Sequence, residues 1–363
     1  MLYFIDDSVV KAAENANETV LSRLNDLYYC WEKGLCIIGS SRKNFIRLSS
    51  IKRIGNYEFV QRTSQGIQSL YADLDFFVIL ICGQNTGHSL SEYSDKYREL
   101  EITLFNGILD LSLNFVVCEN VIDFYFYKWL TEQKDRGLQR HNYRINILPF
   151  NGGGSTTVTS LKYIQNHFCL VICDSDVKYE GCQQGDTCRS VKDYVAELSL
   201  REKNTIWMHI LGVHEVENLI PLDIMELVFR KNAVKKLRDI LSKQYGDTFL
   251  SFFDFKEGFK ESVYRKLKNI NYNIFQKHEQ LFLDVGMADK YLRKLLRRKY
   301  KKGQDNCLVS GFGADVLSNV VMYIENNIIS SNDYKVENYQ SADWNDISRK
   351  IWSLGCAMTP KNL

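Results

Sequence analysis

From residue 114 onward the chain alternates short apolar runs with segments of helical period, and three of the apolar runs lead directly into acids. The run Phe168-Cys169-Leu170-Val171-Ile172-Cys173 is the strongest of them. It is nearly continuous, ends in Asp174-Ser175-Asp176, and suits a strand buried on both faces, as in a parallel sheet covered by helices. Around it, residues 114–120 read as strand, 121–133 as helix, 145–150 as strand, 160–168 as helix, 190–203 as helix and 205–213 as a fourth strand that runs into His214-Glu215-Val216-Glu217. The fold class expected is therefore α/β with a parallel sheet at its core.

The flanks carry less chemistry. Residues 1–110 read as an α/β scaffold: a helical opening, a strand at 35–40, an apolar segment at 76–83 and a helical stretch over 89–110. After Pro221 the pattern is mostly helical, with a strand expected at 248–255 and a basic helix over 288–302. A chain of 363 residues is too long for one minimal core, so three regions are expected: 1–110 scaffold, 111–260 catalytic and 261–363 helical. With 46 basic against 44 acidic residues, a globally basic nucleic-acid coat is excluded, though local patches are not. Ten cysteines, several inside apolar runs, read as mostly buried free thiols of a reducing cytosol. The N-terminal residues have acids where a signal peptide needs bases, and no apolar run reaches membrane-spanning length, so a cytoplasmic protein without a membrane span is expected.

In open parallel sheets, catalytic groups gather at the carboxyl ends of strands. Glu119 ends the first strand here, Asp174 and Asp176 end the third, and Glu215 and Glu217 follow the fourth. An extended i, i+2 spacing would turn Asp174 and Asp176 to the same side. Carboxylates gathered in this way repel unless a cation joins them, and hard oxygen donors select Mg2+ or Mn2+. Taken singly, each acid could instead be an ordinary strand cap.

The order of Glu119, a helix, a Gly-rich turn and then Asp174-x-Asp176 after an apolar strand resembles the Toprim domain of topoisomerases, primases and OLD-family nucleases. The segment 214–221 is similar to the acidic segment of OLD-like nucleases and of the Toprim subunits paired with ATPases in PARIS-type anti-phage systems. The resemblance covers residues 114–221. It implies a Toprim-like core, metal held by Asp174 and Asp176, Glu119 as ligand or general acid/base, and Glu217, less securely Glu215, completing a first or second metal site. It further implies a lysine near the metal, for which Lys256 is the candidate, with an ordinary surface lysine as the alternative. Cys118 stands where family members often carry glycine. Asp123 either supplies the acid that follows four residues after the glutamate or caps the helix.

Other signals are weaker. The glycines of residues 151–158 lack the lysine of a phosphate loop, and no nucleotide-binding motif of that kind occurs, so ATP hydrolysis is not expected. They fix a strand-to-helix turn or touch a substrate phosphate. Cys169, Cys173, Cys182 and Cys188, at spacings of four, nine and six, allow a zinc site around residues 178–190 only weakly, since no C-x-x-C pair occurs, and that polar loop beside Asp176 better suits substrate contact. His214 is a proton shuttle or a structural histidine. Asp73-Leu74-Asp75 repeats the acidic pattern, but before its apolar run. Lys290, Arg293, Lys294, Arg297, Arg298, Lys299, Lys301 and Lys302 form a basic face suited to nucleic-acid phosphates, or else a solvated helix. The function expected is a metal-dependent endonuclease on DNA or RNA, in anti-phage defence or repair, with a separate ATPase subunit as regulator and self-association left open. The competing readings are a noncatalytic Toprim-like assembly subunit and a primase-like nucleotidyl transferase.

Overall fold

Strands that are apolar on both faces must be covered on both faces, and the arrangement of the chain follows from that requirement. The structure, a computed structural model, describes residues 1–63, 74–83, 97–105, 114–134, 143–164, 167–199, 205–229, 231–297 and 305–358. Two four-stranded parallel sheets form. The first contains β1 (Leu2–Ile5), β2 (Ile37–Ser40), β3 (Phe77–Ile81) and β4 (Tyr97–Glu101) in the order β2-β1-β3-β4. The second is built from β5 (Phe115–Cys118), β7 (Leu148–Asn151), β8 (Cys169–Cys173) and β9 (Ile206–Ile210) in the order β7-β5-β8-β9, with the short strand β6 (Tyr143–Ile145) lying between β5 and β7 in the chain and outside this sheet. The parallel α/β expectation holds for this second sheet.

Side-chain alternation divides the second sheet between two cores. Val116, Cys118, Leu170 and Ile172 turn toward the helix Val121–Lys134 and the long helix Asn338–Gly355. Val117, Cys169, Val171 and Cys173 turn the other way, against Leu161 of the helix Thr157–Tyr163 and Val191 of the helix Asp186–Ser199. All five residues of β8 are buried, as its composition requires.

The helix Asn338–Gly355 ties the two sheets together. Ile347 and Ile351 belong to the main core, whereas Trp352 and the following Cys356 pack with Leu2, Ile37, Phe77 and Ile79 of the first sheet. The chain then forms β12 (Cys356–Met358), antiparallel to β6. Asp343 of this helix accepts the Gly212 amide at 2.9 and 3.1 Å and lies 3.1 Å from His209 Nε2. Lys350 Nζ is 3.0 Å from His209 Nδ1. Because an ammonium only donates, Nδ1 accepts and the Nε2 proton goes to Asp343.

Three local expectations are corrected. The chain opens with β1, not with a helix. Residues 97–101, expected within a helix, are the edge strand β4, because pairing with β3 outweighs the helical propensity of the Glu- and Leu-containing run. The strand expected at 248–255 is instead the helix Gly246–Ser251 followed by turns. Phe249 and Leu250 of the helix are buried, and Phe253 and Phe255 of the turns after it are buried too, so the phenylalanines there fill the core without forming a strand. After Pro221 the chain is mostly helical, as expected, and the short strands β10 (Gly258–Lys260) and β11 (Cys307–Ser310) pair antiparallel, Gly258 opposite Ser310 and Lys260 opposite Cys307.

Removing the carboxylate of Asp343 leaves the Nε2 proton of buried His209 without its acceptor. Asp343→Ala is expected to lower the unfolding free energy by about 2 kcal/mol. Urea denaturation followed by circular dichroism measures it, and an unchanged midpoint would contradict the role given to this helix.

Candidate active site

In the second sheet β7 lies on one side of β5 and β8 on the other, so the chain runs from β5 to β7 in one direction and returns past β5 to β8 in the other. A crevice opens at the carboxyl ends of β5 and β8, where ligands bind in sheets of this kind. A cleft of about 380 Å³ lies there, lined by Glu119, Asp123, Asp174, Glu217 and Lys256, with Ala314, Leu317 and Ser318 on its far wall.

Each acid is placed by backbone constraints. Glu119 follows β5 directly, and the glycine turn closes on it: the Gly152 amide donates to Cys118 O at 2.7 Å and the Gly153 amide to Glu119 O at 3.0 Å. A Cβ on Gly152 would stand 2.8 Å from Cys118 O, so this approach needs glycine. The turn therefore fixes the strand exit beside the acid. Asp123 both caps and faces the cleft: its Oδ2 accepts the Asn120 amide at 2.8 Å in the first turn of the helix Val121–Lys134, and the residue lines the cavity.

Asp174 and Asp176 do not share an extended exit. Asp174 Oδ1 accepts the Val216 amide at 3.1 Å. Ser175 Oγ donates to Val213 O, and Asp176 then takes a left-handed φ of 54°. Asp176 packs against Gly185, where a Cβ would lie 2.0 Å from its Oδ2. The result is two adjoining groups in place of one convergent pair. Asp174 faces the cleft with Glu119, Asp123 and Glu217, while Asp176, His214 and Glu215 offer donor atoms all within 4.8 Å of one another.

The segment carrying Glu215 and Glu217 is a turn of 3-10 helix, Val216–Leu219, locked from beneath. Asn218 is fully buried. Its side chain accepts the Glu215 amide at 2.9 Å and donates to Leu250 O at 2.7 Å and Phe253 O at 2.9 Å. Gln340 and Trp344 of the helix Asn338–Gly355 donate to the carbonyls of Asn218, Leu219 and Ile220, each at 2.9 Å. Gln340, Asp343 and Trp344 escape a reading of the sequence, because they lie more than a hundred residues from the acids they hold and carry no motif.

Lys256 completes the cluster. Its Nζ lies 2.9 Å from Glu215 Oε2 and 3.2 Å from Glu217 Oε1. The structure thus brings Glu119, Asp174, Asp176, Glu215, Glu217 and Lys256 together. Burial alone would lower the ammonium's pKa, but Glu217 and Glu215 outweigh it and hold it above the usual lysine value. Burial, reinforced by Asp123, Glu217, Glu215 and Glu119, holds Asp174 well above the carboxylate range. Burial likewise pushes Asp123 up to about 6 and Glu217 up to about 7, the latter against the pull of Lys256. Glu119 and Asp176 move the same way, chiefly by burial. His214 is driven down by burial, and Glu215 offsets part of this.

A cation fits this set. Glu217 is almost wholly buried, and its Oε2 has no hydrogen-bond partner although Lys256 holds its Oε1. The oxygen donors of Glu119, Asp174 and Glu217 line one cleft and would suit Mg2+ or Mn2+, while the donor atoms that lie within 4.8 Å of one another are those of Asp176, His214 and Glu215. No cysteine joins a group of metal donors among the described residues.

The remaining candidates lie elsewhere. Arg293, Lys294 and Arg297 stand on the helix Asp289–Arg297, whose Leu292 and Leu295 are buried, and they line a shallow surface depression with Lys290. Arg298, Lys299, Lys301 and Lys302 lie outside the described residues, as does Asp73. Asp75 precedes β3, pairs with Arg349 at 2.6 Å and accordingly serves packing. The chain matches no protein-family model, no curated protein and no solved structure.

The raised carboxylates carry a sign. Unfolded glutamate titrates near its ordinary value of 4.5, whereas folded Glu217 titrates near 7, so between these the folded state binds more protons and loses stability as pH rises. A bound cation removes that penalty. Mg2+ or Mn2+ is expected to raise the melting temperature more at pH 8 than at pH 5.5, with protons released on binding. Scanning calorimetry at the two pH values checks it; an equal shift at both would contradict the assignment.

Proposed function

We propose that the chain is a metal-dependent endonuclease that cleaves phosphodiester bonds in DNA or RNA through a Toprim-like core. The observation that carries this reading is the gathering of acids from three strand ends, with Lys256 among them, at the switch point of a parallel sheet. Glu119, Asp174 and Glu217 would hold the cation, with Asp176 and Glu215 beside them. Bound there, it would offset charge on the nonbridging and leaving oxygens of a phosphodiester. Lys256 contributes a permanent positive charge beside the acids. Glu119, its pKa raised chiefly by burial and its carboxylate at the cleft wall, would act either as such a ligand or as the general acid/base.

The helix bearing Arg293, Lys294 and Arg297 offers positive charge to the backbone of a nucleic acid. A separate ATPase that restrains the nuclease, and a place in anti-phage defence or repair, rest on the resemblance to OLD-like and PARIS-type systems. No helix among the described residues is long and apolar enough to cross a membrane.

Two experiments test the reading. Purified protein incubated with plasmid, single-stranded DNA and a tRNA pool should cleave at least one of them with Mg2+ or Mn2+ and none with EDTA. Glu119→Ala and Asp174→Ala should each reduce the rate about 100-fold or more. Binding without cleavage, even beside the product of a neighbouring gene, would favour an assembly subunit, and primer synthesis from added nucleotides would favour a transferase. Separately, replacing Arg293, Lys294 and Arg297 together by alanine should flatten the dependence of log affinity on log salt by about 2. An unchanged slope would remove this helix from the interface.

A further inference from the structure

The buried histidines of this chain are not alike. His209 has both ring nitrogens engaged, one by Asp343 and one by Lys350. His278 lacks a partner at Nδ1 but sits against the rings of Phe249 and Phe259. His214 lacks a partner at Nδ1 as well, its side chain is only 2% exposed, and its Nε2 stands 3.4 Å from Glu215 Oε1. A neutral imidazole carries one N–H. Placed on Nε2, it leaves the buried Nδ1 lone pair unused; placed on Nδ1, it turns the Nε2 lone pair against a carboxylate oxygen, a repulsion that a cation between the two replaces with two bonds.

A third donor is brought to the same point by the backbone. The Asp176 amide donates to His214 O at 3.0 Å and the His214 amide to Ser251 O at 2.8 Å, so the turn after β8 is fastened to the segment after β9. Asp176 takes its left-handed φ of 54° there, and Gly185 leaves the room its carboxylate occupies. One donor atom each from Asp176, His214 and Glu215 then falls within 4.8 Å of the others. Around a single cation with bonds of about 2.1 Å, neighbouring donors stand about 3 Å apart and opposite ones about 4 Å, so this set needs little adjustment to close on an ion. Lys256 marks the limit of the group: it takes Oε2 of Glu215 and Oε1 of Glu217, which leaves Glu215 Oε1 for the side of His214.

We infer that Asp176, His214 and Glu215 form a second cation site, adjoining the all-oxygen cleft and separate from it, which takes a divalent transition cation such as Mn2+ in preference to Mg2+. Two carboxylates balance the charge of a divalent ion. Mg2+ takes oxygen donors, whereas imidazole suits the transition cations, so His214 sets the preference. The site stands on its own donors and does not require that the chain cut nucleic acid.

Mn2+ is the probe, because its unpaired electrons report a directly bound nitrogen. Pulsed electron paramagnetic resonance of the full chain with Mn2+ should show coupling to an imidazole nitrogen. That coupling should survive an excess of Mg2+ that clears Mn2+ from the all-oxygen cleft, and it should survive Glu119→Ala. His214→Gln should abolish it, with the melting temperature showing that the fold is kept. Asp176→Ala, at a half-buried position, should weaken Mn2+ at the nitrogen-coupled site about tenfold or more, and it decides the matter if the glutamine variant does not fold. No nitrogen coupling in the wild type, coupling that persists in His214→Gln, coupling lost in Glu119→Ala or to Mg2+, or unchanged affinity in Asp176→Ala would each overturn the inference. The expected coupling in a protein that cleaves neither DNA nor RNA would support this site and sink the nuclease reading.

Discussion

Glu119, Asp123, Asp174 and Glu217 line one cleft, with Asp176 and Glu215 adjoining, and Lys256 is the lysine set among them. Like charges this close raise one another's pKa, and burial does the same, which is the pattern of Asp174, Glu119, Asp123 and Glu217 alike. Such a cluster costs stability in the absence of a cation. A fold that maintains it must hold the acids against that repulsion, and much of the surrounding structure is arranged to do so.

The holding is done by backbone bonds from distant parts of the chain. Val216 is tied to Asp174, Gly152 to Cys118, and Gly212 to Asp343. The helix Asn338–Gly355 supplies Gln340, Asp343 and Trp344 to the segment that bears Glu215 and Glu217, while its far end packs beneath the first sheet. The two sheets share the order second-first-third-fourth, yet the acidic cluster and its cleft sit on the second. At the corresponding end of the first sheet, Asp6 caps the helix Asp7–Glu14 and Asp7 pairs with Lys11 and Arg47, so those acids serve local structure.

Much of the second sheet was legible because its strands are apolar on both faces and its helices are not. Glu119, Asp174 and Glu217 could be placed at strand ends from order alone. The left-handed turn at Asp176 could not, since it depends on Ser175 reaching Val213 and on the space beside Gly185. β4 was hidden because an edge strand borrows its stability from its neighbour, and the helix Gly246–Ser251 because phenylalanine favours strands in general, whereas here Phe249 is buried on the helix and Phe253 and Phe255 in the turns after it. Lys256 was visible only through a family resemblance; its place beside Glu215 and Glu217 depends on the turn after that helix.

The central claim is that these carboxylates are held together to bind a cation, and anomalous scattering from crystals grown with Mn2+ tests it most directly. The account predicts a peak within the cleft, in contact with Asp174 and with the free oxygen of Glu217, and Glu119 adjacent. A map with no peak there at saturating Mn2+, with Glu217 still bound only to Lys256, would contradict it.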